Sequence, residues 1–163
     1  MNAAIPILES LPTVAGWSNP IAYARIMAAH LASEVLPRYP SAFTFDPISW
    51  SLPKFRPEVF IVSLEGYVQK FDKQPTEEEL FGWILRNVEL FLRSGFYVGL
   101  WQDSHGVYHL DVSIAVVGEE FALATASMNH QTEIYYPAED RCIVVNNALR
   151  LLERPEGKAL AEV

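Results

Sequence analysis

Gly95-Phe96-Tyr97-Val98-Gly99-Leu100-Trp101 and Val107-Tyr108-His109-Leu110-Asp111-Val112-Ser113-Ile114-Ala115-Val116-Val117, joined by Gln102-Asp103-Ser104-His105-Gly106, decide the reading of this chain. Aromatic and β-branched residues fill both arms, and the connection is short, polar and closed by glycine, the pattern of a β-hairpin. Side chains alternate along a strand. On the second arm Tyr108, Leu110, Val112, Ile114 and Val116 share one face, predicted to be core. Val107, His109, Asp111, Ser113 and Ala115 share the other, predicted to meet solvent or a light cover. Within the connection, the Asp103 carboxylate can satisfy turn amides while Gly106 takes positive φ, and His105 reads as a turn residue.

Working outward, Thr76-Glu77-Glu78-Glu79 is a capping box with three acids at the positive end of a helix dipole. The helix should reach Leu92 or Arg93, burying Leu80, Phe81, Trp83, Ile84, Val88 and Phe91, with Gly95 placed to end it. Ahead of it a strand starts at Glu58 and can extend to Phe71 with a bend at Glu65-Gly66. Beyond the hairpin, Gly118-Glu119-Glu120 opens a helix through about His130, with Phe121, Leu123, Ala124 and Met128 as its apolar content. Thr132 to Tyr136 reads as a strand and Arg141 to Val145 as its antiparallel return. Asn146 or Asn147 would cap a short helix over 148–154. The series after residue 57 is therefore βαββαβ, and an α+β fold with an antiparallel sheet covered by helices satisfies it, the ferredoxin-like strand order being the leading arrangement.

Residues 1–17 read as a lead-in strand or arm. Ser18-Asn19-Pro20 then starts a helix that should run to about Leu36, with Ile21, Ala24, Ala28, Leu31 and Val35 as a stripe widened by Ile26 and Met27. Five prolines between 37 and 57, interleaved with Tyr39, Phe43, Phe45, Trp50 and Phe55, make an extended crossing. Its aromatics either pack on the main body or present a binding surface. At 163 residues the chain reads as one domain, 1–56 packed on a 57–154 core, with 155–163 frayed.

Charge is uneven: four basic and three acidic residues up to Arg56, then eight basic and seventeen acidic. Such an acidic excess repels phosphate backbones, so nucleic acid is excluded as a direct partner and a basic protein is favoured. Apolar runs are too short to span a bilayer, and the N-terminus lacks a leader pattern. The single Cys142 allows no internal disulfide and reads as a buried thiol. These features point to the cytoplasm, with no membrane partner and no cofactor.

Chemistry has few candidates. His109, Asp111 and Ser113 alternate on one strand face, so His109 or His130 with Asp111 could form a base–carboxylate pair. No metal-ligating spacing stands out, and no phosphate-binding glycine run is present. Trp50, Phe55, Trp101, Asp103, His105, Asn129, Gln131, Tyr135 and Tyr136 are the candidate contact residues, since adjacent aromatics on a strand face opposite ways and aromatics anchor interfaces.

Gly99, Trp101, Asp103, Gly106, Tyr108, Leu110, Asp111, Val112, Ser113, Glu119, Glu120, Ala122, Asn129, Gln131 and Tyr135 carry a G-x-W-x-D…G-x-Y-x-L-D-V-S…N-x-Q pattern. Over residues 95–136 the chain resembles small phage-associated and actinobacterial proteins and modules. The resemblance implies an accessory role, transfers no catalytic residue, and marks Asp111, Asn129 and Gln131 as a shared structural feature or contact surface. The sequence alone thus favours a non-catalytic acidic domain that binds a protein partner or itself, as an accessory or inhibitor of a basic or nucleic-acid-handling partner. The alternatives are a small hydrolase using a His/Asp pair and a structural homo-oligomer subunit.

Overall fold

The computed structural model describes residues 19–145. The expectations for 1–17, for a Ser18 cap, for a helix over 148–154 and for the tail at 155–163 lie outside the described residues. The fold is α+β, with antiparallel strands packed against helices that include the N-terminal one. Two compact units form: the described residues up to Pro53 with Tyr67–Val112, and Lys54–Gly66 with the described residues from Ser113 onward.

The first unit begins with α1, Pro20–His30. Asn19 Oδ1 accepts from Ile21 N at 3.0 Å and Ala22 N at 3.2 Å, and Pro20 occupies the first turn, where no N–H is missed. Tyr23, Ala24, Met27 and Ala28 are fully buried, and Leu31 and Val35 continue the buried run. Ile26 lies off that face and is 48% exposed, against the expectation that it widens the stripe. Nor does the regular helix reach Leu36: Leu31–Val35 is a π-helical turn, closed by Leu36 N on Leu31 O at 2.9 Å.

Helix α1 packs on α2, Glu77–Arg86, where the predicted capping box is formed: Thr76 Oγ1 accepts from Glu79 N at 3.2 Å and Glu79 Oε2 from Thr76 N at 2.8 Å. Arg25 lies 3.5 Å over the Phe81 ring and pairs with Glu78, tying α1 to α2. Asn87, at φ −112°, interrupts the expected long helix by turning its Nδ2 onto Trp83 O, and α3, Val88–Phe91, follows. Leu80, Trp83, Ile84, Val88 and Phe91 are buried as predicted.

The strands of this unit are β1 (Ala42–Phe45), β3 (Gln69–Phe71), β4 (Phe96–Gln102) and the first half of β5 (Tyr108–Val117). β1 runs antiparallel to β4, Thr44 opposite Gly99, and β3 runs antiparallel to β5, Lys70 opposite His109. The proline-rich crossing therefore contains a strand, β1, short enough to sit between Pro40 and Pro47 at an edge of the ladder.

In the second unit β2, Val59–Ser63, pairs antiparallel with the other half of β5 and with β6, Glu133–Tyr136, and β7, Arg141–Val144, returns on β6 as predicted. The pairings β4–β5, β5–β2 and β2–β6 are those a ferredoxin-like βαββαβ series requires, and β1, β3 and β7 are additions to it. The strand expected from Glu58 to Phe71 is interrupted: from Ser63, opposite Ser113, to Gln69, opposite Leu110, the chain has five intervening residues, 64–68, where β5 has two, Asp111 and Val112. Helix α4, Glu119–Met128, packs on β2 and β6. Its buried face is Ala122 and Ala126, one turn apart, set in a core of Phe60, Val62, Ile134 and Val145. Phe121 and Met128, expected to supply its apolar contacts, are instead 74% and 79% exposed, because the small alanines are what let the helix approach the strands.

Candidate active site

Asp103 opens the hairpin turn. Its Oδ1 accepts from His105 N at 2.8 Å and Val107 N at 3.0 Å, while Gly106, at φ +82°, donates its N–H to Asp103 O at 3.0 Å. His105 is the turn residue the sequence predicts. With one carboxylate oxygen committed to the turn, Oδ2 is aimed along β5, where it accepts from His109 Nε2 at 2.9 Å. Closure of the turn by Asp103 N on Val107 O places Trp101 opposite His109, and the two rings stack with centroids 3.9 Å apart and planes 11° from parallel.

His109 is 8% exposed and Trp101 40%. The hydrogen bond from His109, aided by the turn amides, holds the Asp103 carboxyl at about 2 against its ordinary 3.8, outweighing a desolvation that acts the other way. An ionised carboxylate can only accept, so the imidazole proton is assigned to Nε2 and, in the neutral ring, the lone pair to Nδ1. The arrangement fixes ring plane and tautomer together.

This differs from the pairing read in sequence. Asp111 and Ser113 are each 2% exposed, so the face expected to meet solvent or a light cover is closed from His109 to Ser113 and open at Ala115, and neither Asp111 nor Ser113 lacks an interaction partner. The carboxylate on His109 belongs to Asp103, which reaches it across the hairpin. Asp103 is the diagonal cross-strand neighbour of His109, two residues beyond Trp101 on the same face, a separation that an imidazole and a carboxylate together span. The signal was present in the spacing: a turn closed between Asp103 and Val107 puts residue 109 two steps from the closure.

The other candidates occupy separate settings. His130, exposed and at φ +53°, pairs through Nδ1 with Glu65 Oε2 at 2.8 Å. Beside it Asn129 Oδ1 accepts from Glu65 N at 3.2 Å, and Gln131 Nε2 donates to Asn129 O at 3.0 Å. His130 and Asn129 thus tie the end of α4 to the bend at Glu65, and Gln131 braces Asn129. Tyr135 donates its hydroxyl to Asp140 Oδ1 at 2.8 Å, and burial followed by that carboxylate pushes its pKa up to about 12. Tyr136 stacks on Phe60 with centroids 4.6 Å apart. Phe55 is half-buried, and Trp50, also half-buried, stands among Tyr23, His30 and Phe45. Cys142 is exposed on β7, which corrects the buried thiol expected from its strand: β7 is the terminal strand of the ladder and leaves that side chain uncovered. Desolvation, then Glu133 and Asp140, raise its pKa, so it carries less thiolate than a free cysteine.

Among the described residues no group of three or more His, Cys, Asp or Glu side chains is placed to hold a metal ion, and no helix is long and apolar enough to cross a membrane. Comparison with protein-family models, curated proteins and solved structures finds no match.

Proposed function

We propose that this chain is a small hydrolase in which Asp103 and His109 form a general-base dyad. The observation that carries the reading is the 2.9 Å bond between an ionised carboxylate and a ring that is nearly sealed and stacked on Trp101. His109 Nδ1 draws a proton from water as that water attacks the carbonyl carbon of an ester or amide. The resulting imidazolium is stabilised by Asp103, and its proton then passes to the departing oxygen or nitrogen, which returns the ring to neutral. The half-exposed indole of Trp101 supplies an apolar wall for the acyl or leaving group.

The test is turnover of p-nitrophenyl acetate and butyrate by the purified chain. His109→Gln should lower kcat/KM by about 100-fold or more. Asp103→Asn keeps an acceptor for the turn amides but presents an amide N–H to His109 Nε2, which forces the wrong tautomer, and it should lower kcat with little change in KM. Unchanged rates in folded variants, or no turnover by the wild-type chain, would overturn the proposal.

Phe121 and Met128, both exposed on α4, whose first turn carries Glu119 and Glu120, favour a second reading. Exposed apolar side chains on a chain with an acidic excess suit a protein-binding domain selective for a basic partner. A well-folded chain inactive on the ester panel would leave this as the better account.

A further inference from the structure

A cleft of about 330 Å³ opens in the first unit, among His30, Glu34, Arg38, Tyr39, Phe45 and Trp50. Two departures from regular backbone build it. The π-turn at Leu31–Val35 carries Glu34, and such turns recur at functional positions because they re-aim side chains at a cost in helix regularity. Trp50 holds φ +56°, a conformation unfavourable for a bulky residue. That strain is held by Asp46, whose Oδ1 accepts from Ile48 N at 2.8 Å, whose carbonyl accepts from Trp50 N at 2.9 Å and whose N–H donates to Ser51 O at 2.8 Å. The result is an aromatic corner: the Trp50 ring lies 5.4 Å from His30, and 6.1 Å from Phe45 at an interplanar angle of 80°. A strained residue so firmly over-determined points to a use for its position.

At the same cleft stand two opposite charges, Glu34 and Arg38, 3.6 Å apart and one helical turn from each other. Both side chains are more than half exposed, so their mutual pairing is weak and each is cheaply recruited by a ligand. A ligand bearing only an anion would meet Arg38 but be repelled by Glu34, and one bearing only a cation the reverse. From this juxtaposition we infer that the cleft binds a small aromatic zwitterion of the amino-acid class, its ring against Trp50 and Tyr39, its carboxylate on Arg38 and its ammonium on Glu34. The cleft volume lies at the small end for ligand sites, which suits one ring system with a short charged chain. This site is independent of the Asp103–His109 dyad, since none of its residues belongs to that pair.

Calorimetric titration of the full chain with L-tryptophan, tryptamine and indole-3-propionate tests the inference. L-tryptophan should bind about tenfold more tightly than either singly charged analogue. Glu34→Gln should abolish its advantage over indole-3-propionate, and Arg38→Gln its advantage over tryptamine. Both residues are exposed, and far-UV circular dichroism confirms that the variants fold. In a ¹⁵N-labelled sample the Trp50 indole N–H resonance should move with the same saturation curve. Failure of L-tryptophan to bind, equal affinity for all three compounds, or unchanged preferences in the two variants would overturn it.

Discussion

Asp103 performs two tasks with one carboxylate. Oδ1 holds the turn amides and Oδ2 holds His109, so turn geometry and imidazole orientation are set by the same side chain. The carboxyl titrates lower in the folded chain than in the unfolded one. Ionised Asp103 therefore stabilises the fold at every pH above about 4, and that contribution fades as pH falls toward 2. Urea unfolding between about pH 5 and pH 2 should show the wild-type chain losing stability more steeply than Asp103→Asn across that window. Parallel curves would show that the bond to His109 is not maintained in solution. At this scale the sequence singled out both Asp103 and His109, but joined His109 to Asp111. Partner choice depended on hairpin register, which follows from where the turn closes, between Asp103 and Val107, and not from residue types alone.

At the scale of the element, local signals were the readable ones. Thr76 and Glu79 are three positions apart, and their reciprocal bonds need nothing beyond the first turn of α2. Thr76→Ala should accordingly cost ~1 kcal/mol in urea denaturation, with little change in the slope against denaturant. A loss close to zero would mean that the contact of α2 with α1 holds that turn without its cap. The hairpin was legible for the same reason, its turn chemistry lying within Gln102 to Gly106. Helix α4 was not. Phe121 and Met128 carry more hydrophobic weight than Ala122 and Ala126, yet approach distance decides an interface, and only the alanines permit close packing on β2. The π-turn after His30 was equally hidden, since an extra residue per turn is imposed by packing and leaves no periodic trace.

For the whole molecule, the α+β class and the succession of elements after residue 57 were readable, because each segment declares its period and its caps. The interruption at 64–68 was foreseen only as a bend, and its length follows from two registers that meet on β5. β5 gives its first half to one compact unit and its second half to the other. Guanidinium unfolding should therefore be a single transition: tryptophan fluorescence, which among the described residues reports Trp50, Trp83 and Trp101 of the first unit, should coincide with far-UV circular dichroism, which reports both. Separated midpoints would show that either unit survives loss of the shared strand. The sharing also governs how the chain can change in length. Dropping or adding one residue within Tyr108–Val117 would exchange inward and outward rows for everything downstream, so the two ladders could not both keep their partners. Residues 64–68, already unmatched, can absorb such an edit; diverging lineages would be free to lengthen or trim that bend while keeping the ten-residue strand at constant length.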